Sequence, residues 1–321
     1  MVHSRSNEHL ALIKPQTVTN SASYTIGDVD FVIKNDTSSM LQDPGPIYQA
    51  FLENIEKVDR HPQPEPIRIL VHLEMGRLPS TANLTLLFDG DPSWKMFKGG
   101  EDYFLMNRPP TFEWPLWLAR INHRFTRVTV FINEEFIRKI DSGRKIDNPV
   151  HYPLGQILLM YILAPKEGAM FHAAGLKLKG KGVIFPGKSG AGKSTLTRQF
   201  AAGGNTTLLS DDRIIVRKIG DTFRAYGTPW PGDAGIALNK NVPISGIFFL
   251  NHGPANRITA MKPQQALERL LPVTSIPWYD REIMPKILDF CEDLVLNVPA
   301  YELDFKPSAE VVDVLEKYMS T

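Results

Sequence analysis

The residues best suited to chemistry lie in one stretch near the middle of the chain, Gly187-Lys188-Ser189-Gly190-Ala191-Gly192-Lys193-Ser194-Thr195. Residues 187–194 fit Gly-x-x-x-x-Gly-Lys-Ser, the phosphate-loop pattern. Each fixed position answers a physical need. Gly187, Gly190 and Gly192 can take backbone angles closed to other residues, so successive amides can turn inward on a phosphate. Lys193 would set its ammonium between the β- and γ-phosphates, and the Ser194 hydroxyl would sit on Mg²⁺. From Thr195 the chain reads as a helix whose N-terminus adds partial positive charge. The implied cofactors are a nucleoside triphosphate, ATP or GTP, and Mg²⁺.

Asp211-Asp212 stands eighteen and nineteen residues beyond Lys193. A carboxylate at a strand end can hold Mg²⁺ or its waters. An adjacent one can take the proton of an attacking hydroxyl. The plain alternative is a solvated turn. His172 lies fifteen residues before Gly187, and Asp233 falls in a Pro/Gly loop where it could complete a metal shell. Arg213, Arg217 and Arg281 could neutralise transition-state charge.

These residues need strands and helices to position them. A short apolar run at 182–185 predicts a strand feeding the loop. A turn and strand at 168–178 carries His172. Residues 206–210 read as a strand beside the loop strand, ending at the Asp pair, and 213–218 as another. Residues 226–233 are turn-forming throughout. A continuous apolar run predicts a buried strand at 244–250. Helices are expected at 153–163, 263–271 and 284–290, then a late strand region at 295–305. Ser308 would cap a final helix carrying Val311, Val314, Leu315 and Tyr318.

The first half has a different texture. Residues 1–21 are polar and expected to be loosely held. A hairpin is predicted at 23–33, turning at Gly27-Asp28. A helix is predicted at 46–58 and a proline-rich loop at 60–66. Strands are predicted at 67–75, 83–88, 103–106 and 127–133. Trp94, Phe97, Tyr103, Phe104, Phe112, Trp114 and Trp117 read first as the filling of a β core, and second as the lining of a recognition groove. The polar, turn-rich stretch 141–149 marks a boundary. The expected organisation is therefore α/β: a β-rich α+β domain at 1–147 for substrate or partner recognition, then a nucleotide-binding catalytic domain at 148–321.

Composition narrows the classes. A chain of 321 residues can hold two domains and a sizeable core. It is 43% hydrophobic and 22% charged, ordinary for a globular protein. A net charge of +1 gives no reason to expect nucleic acid or an anionic membrane as partner. Cys291 is the one cysteine, so no intramolecular disulfide can form, and it reads as a small buried residue. The polar N-terminus lacks a signal-peptide core, and the longest apolar run is too short to span a bilayer, so a cytoplasmic protein is expected.

Phe171-His172-Ala173-Ala174-Gly175, a strand, the loop 187–194, a helix, and Ser210-Asp211-Asp212 together resemble the catalytic domain of bacterial HPr kinase/phosphorylase. That family has a fold related to phosphoenolpyruvate carboxykinase. The resemblance covers about residues 149–321 and is densest near the loop. It implies nucleotide and Mg²⁺ roles for Lys193 and Ser194, the general-base role for Asp211, and a metal-side role for Asp212. His172 would lie near the transferred phosphate, and Asp233 where the family uses a glutamate. It also implies self-association, since that family forms hexamers. Thr228-Pro229-Trp230-Pro231-Gly232 departs from the family's peptide-recognition and phosphorolysis segment, and the N-terminal half does not match its regulatory domain. These departures point away from HPr as substrate.

The function expected is transfer of the γ-phosphate to a hydroxyl, either a peptide or protein serine or a small hydroxy compound. The competing reading is a nucleotide-binding regulatory or scaffold protein, or a slow ATPase. A keto-acid carboxykinase is weaker, because no second-metal His/Lys set is visible.

Overall fold

A computed structural model of the chain describes residues 21–37, 39–42, 45–52, 67–90, 93–133, 138–140, 143–203 and 206–320. The expectations for 1–20 and 60–66 lie outside them.

The first sheet begins with the predicted hairpin, β1 (Ser21–Ile26) and β2 (Val29–Asn35). Gly27 and Asp28 both have positive φ, 61° and 57°. A two-residue turn that follows the right-handed twist of its strands requires this. There follow β3 (Met40–Leu41), α1 (Gly45–Gln49), β4 (Ile67–Met75), β5 (Thr85–Gly90), β6 (Trp94–Gly99), β7 (Asp102–Asn107), β8 (Trp117–Ile121) and β9 (Arg127–Ile132). The eight-stranded order is β1-β2-β4-β9-β8-β7-β6-β5, with β2–β4 and β4–β9 parallel. Ile69, Val71 and Leu73 of β4 and Val128, Val130 and Ile132 of β9 are buried at alternate positions, the period-2 signature of a one-sided core.

Two strands of this sheet escaped the sequence reading. In β6, Lys95 and Lys98 interrupt the apolar alternation, and β8 is too short and too continuously apolar to announce its period. The helix expected at 46–58 occupies only Gly45–Gln49, and residues 53–58 lie outside the described ones. Of the seven aromatic residues, Trp117, Tyr103 and Phe97 are buried core, while Phe112 and Trp114 are exposed.

Strands β10 (Arg138–Ile140) and β11 (Gly143–Ile146) join β3 in a small sheet. Helix α2 (Gly155–Leu163) then leads into the second large sheet: β12 (Gly168–Leu178), β13 (Lys181–Pro186), α3 (Lys193–Gly203), β14 (Thr206–Ser210), β15 (Arg213–Ile219), β16 (Thr222–Gly227), β17 (Asn241–His252), β18 (Arg257–Ala260), α4 (Pro263–Leu270), α5 (Ile283–Asn297), β19 (Ala300–Phe305) and α6 (Glu310–Ser320). This sheet is also eight-stranded. Strand β13 pairs antiparallel with β12 and parallel with β17, so the ladder closes β12-β15-β16-β17-β13 into a ring. The expectation that residues 206–210 run beside the loop strand is corrected: β14 pairs with β12, on the edge opposite β13. The late strand starts at Ala300, because α5 continues through Asn297.

Helix α3 is pinned by its apolar face. Leu196 and Phe200 pack with Val311, Leu315 and Met319 of α6 against Ala174, Leu176, Val183 and Phe185. Each such side chain contributes roughly 1.5–3 kcal/mol. The other core runs between the two large sheets. Across it, Arg217 donates to Gly27 O (3.0 Å), Tyr226 Oη to Asp28 (2.7 Å) and Tyr103 Oη to Asp280 (3.1 Å), while Phe125 stacks on Tyr161 at 4.0 Å. Among the described residues, no helix is long and apolar enough to cross a membrane.

Candidate active site

Strand register builds the site. On one side of β12, Ala173 pairs with Pro186, and Gly187 N donates to His172 O (3.0 Å). On the other side, His172 pairs with Arg213, and Ala173 N donates to Asp212 O (2.9 Å). The loop, the histidine and the second aspartate thus share one row across three strand segments. The row ends in side-chain contact: His172 Nε2 lies 2.7 Å from Asp212 Oδ1 and 3.0 Å from Lys193 Nζ. One imidazole nitrogen cannot donate to the carboxylate and accept from the ammonium at once. His172 therefore stands between a carboxylate and an ammonium and can serve only one of them through that nitrogen at a time.

The glycines have separate reasons. Gly192 has φ +95°, which an L side chain rarely adopts. Gly187 does not have positive φ, contrary to expectation; there a Cβ would come within 2.9 Å of the Ala191 Cβ. Lys193 is buried, and Nζ donates to Gly187 O (2.7 Å) and Lys188 O (3.1 Å). Burial lowers its pKa below the usual lysine range, against the opposing pull of Asp212. Lys193, Ser194 and Thr195 open α3, and helix geometry gives their amides no acceptor within it.

Ser189, Gly190, Gly192, Lys193, Ser194 and Thr195 line a cavity of about 330 Å³ together with His172, Asp211, Asp212 and Asp233. Lys188 and Ala191 shape the loop instead, through an Ala191 N to Lys188 O bond of 3.2 Å. Asp233 is exposed on the cavity's far wall. Among the described residues, no three His, Cys, Asp or Glu side chains converge as a metal cluster.

The two aspartates point to different tasks. Burial raises the Asp212 pKa, but the hydrogen bond from His172 and the charges of Arg213, His172 and Lys193 outweigh it and hold the carboxyl below its usual range. Arg213 reaches Asp212 Oδ2 at 3.1 Å. Asp211 is 1% exposed, and its carboxylate accepts from the amides of Gly232 (2.9 Å), Ala234 (2.7 Å) and Ile236 (3.2 Å). Asp211, expected as general base, is thus bonded to three backbone amides. It fixes the 232–236 loop, while the Asp212 carboxylate, on the same cavity, is held by the side chains of His172 and Arg213.

The sequence reading missed two further cavity residues, Arg198 and His252. Arg198 stands four residues after Ser194 in α3, a legible same-face spacing. His252 ends β17, with Nε2 3.4 Å from Gly190 O. Of the other arginines considered, Arg217 is buried between the sheets and Arg281 is exposed away from the cavity. Cys291 is buried, its thiol pushed up to about 12 by burial, as a packing residue should be.

Residues 154–320, just over half of the chain, match the family model described as SynChlorMet cassette protein ScmC. The chain belongs to the ScmC family. The matched span holds every candidate site residue from His172 to His252 and leaves out the first eight-stranded sheet. No curated protein matches the chain. Among solved structures, the Hpr(Ser) kinase/phosphatase from Coxiella burnetii is similar at 15% identity, over 47% of this chain and 88% of that one, with a TM-score of 0.28. That is a distant resemblance and carries no role over to individual residues.

Proposed function

We propose that the chain transfers the γ-phosphate of ATP or GTP to a hydroxyl. One observation carries this reading: a Gly-Lys-Ser loop whose lysine stands 3.0 Å from His172, which in turn stands 2.7 Å from Asp212. The amides opening α3 and the Lys193 ammonium would hold the phosphates. Ser194, Asp212 and Asp233 offer hard oxygen donors on one cavity. That suits Mg²⁺, which needs one or two carboxylates beside substrate phosphates. When bound, the metal would neutralise charge on the phosphate oxygens.

The acceptor oxygen would bond to the γ-phosphorus as the bond to the nucleoside diphosphate breaks. Asp212, charged at neutral pH, orients the hydroxyl, and the Asp212–His172 pair holds the proton it gives up. Positioning and charge neutralisation supply most of the acceleration. In this reading residues 148–321 perform the transfer and residues 1–147 select the acceptor.

Phosphate transfer from γ-labelled ATP, set beside equilibrium nucleotide binding, tests it. Nucleotide binding that needs Lys193, with no transfer or hydrolysis that depends on Asp212, would make the protein a nucleotide-binding regulator instead.

A further inference from the structure

A second cavity of about 620 Å³ lies between the two halves, and Asp212 belongs to the walls of both cavities. Its character is different. Ile47 and Tyr48 of α1 face Tyr152, Trp230 and the flanking Pro229 and Pro231. The wall is preorganised. Tyr48 Oη and Trp230 Nε1 both donate to His151 O, at 2.8 and 2.7 Å, and the Tyr48 and His151 rings stack at 3.9 Å. At the rim, Tyr152 is 63% exposed and Ile47 36%, apolar surface with nothing packed over it among the described residues. Gln156 also lines the cavity, and its carboxamide makes no hydrogen bond among the described residues.

We infer that this cleft is the acceptor site, and that the acceptor is a peptide carrying a large apolar side chain beside its hydroxyl residue. The inference rests on the phosphotransfer reading. A volume in the range of drug-sized ligands far exceeds what a hydroxymethyl group alone needs. Aromatic and proline walls favour an apolar or aromatic side chain. The Gln156 carboxamide, with donors and an acceptor, matches a peptide unit. Among the described residues, Arg213 is the one Lys or Arg on the lining, and it is paired with Asp212, so an acidic flank would find no free partner there. A hydroxyl entering from this cleft meets Asp212, the residue whose side chain lines both cavities.

The probes are two acetylated, amidated peptides in an alanine background, one with serine between two phenylalanines and one with aspartate in place of both. With ATP and Mg²⁺, the phenylalanine peptide should be phosphorylated with a kcat/KM at least about tenfold higher. Tyr152→Ala and Ile47→Ser should each raise KM for it by about five- to tenfold, with a smaller change in kcat. Equal kcat/KM for the two peptides, or an unmoved KM in both variants, would overturn the inference. Calorimetric titration of the phenylalanine peptide without nucleotide separates the two readings. Binding that Tyr152→Ala weakens, with no phosphorylation, would retain the peptide cleft and sink the transfer reaction. Absence of binding would sink the cleft while leaving nucleotide chemistry standing.

Discussion

The two large sheets handle buried polar groups in opposite ways. In the first, Thr25, Asn35 and Thr37 pair with near neighbours in sequence, and Tyr103 alone of those named reaches across the core, to Asp280. Thr25 donates to Asp30 (2.9 Å), and Asn35 and Thr37 bond to each other and to Ser39 O. In the second, His172, Lys193 and Asp212 come from three separate segments and meet only through strand register. Local pairs satisfy themselves and leave little to offer a ligand. The long-range set leaves an ammonium, an imidazole and a carboxylate facing a cavity. Both sheets follow the same ladder geometry. The cavity lies where the glycine-rich loop and the bend between β14 and β15 meet on either side of His172.

The sharpest way to break this contrast is Asp212→Asn. Phosphate transfer should fall by roughly 10²–10⁴, with nucleotide affinity nearly kept. Lys193→Ala should cost on the order of 10²–10³ in transfer and also weaken nucleotide binding, read by titration calorimetry. Unchanged transfer in Asp212→Asn would remove the proposed role of the row.

Core truncations come next. Ile69→Ala in the first sheet and Leu196→Ala in α3 should each lower unfolding free energy by about 2–5 kcal/mol in denaturant titrations. Only Leu196→Ala should also weaken nucleotide binding, since it loosens the helix that carries Lys193 and Ser194.

Asp211→Ala sharpens the distinction between the adjacent carboxylates. Three amides lose their acceptor, and stability should fall by on the order of 3 kcal/mol. The folded fraction should retain far more transfer activity than Asp212→Asn does.

A pH series probes the seam between the halves. Burial pushes His151 down from 6.5 to about 4. Between those values the unfolded chain binds the proton that the folded chain refuses. Stability should therefore fall as pH drops from about 6.5 to 4, by at most about 3 kcal/mol. His151→Phe should flatten that limb of the urea-midpoint profile.

The smallest effect belongs to the local pairs. Thr25→Val should cost about 1 kcal/mol and leave transfer alone.

Much of this was legible in the chain. The loop 187–194 announces itself because the phosphate-loop pattern restricts each fixed position to one or two residue types. The hairpin at Gly27-Asp28 is legible because two consecutive positive φ values select those residues. Strand β8 and the true extent of α1 were not, because short apolar runs carry too little period to separate helix from strand. The roles within Asp211-Asp212 were not legible either, because which carboxylate meets the 232–236 amides depends on a loop more than twenty residues away.

By itself, then, the sequence determined the local items: the glycine-rich loop, the lysine and serine within it, most strands of the second sheet, and an ordinary, nearly neutral composition. These follow from backbone stereochemistry and side-chain type, which act over a few residues. Only the tertiary structure decided that His172 joins Lys193 to Asp212, that Asp211 is a loop anchor, and that an aromatic cleft opens onto the same carboxylate. Those facts depend on register between strands and on packing between halves, and no local pattern in the chain encodes a distance across a sheet.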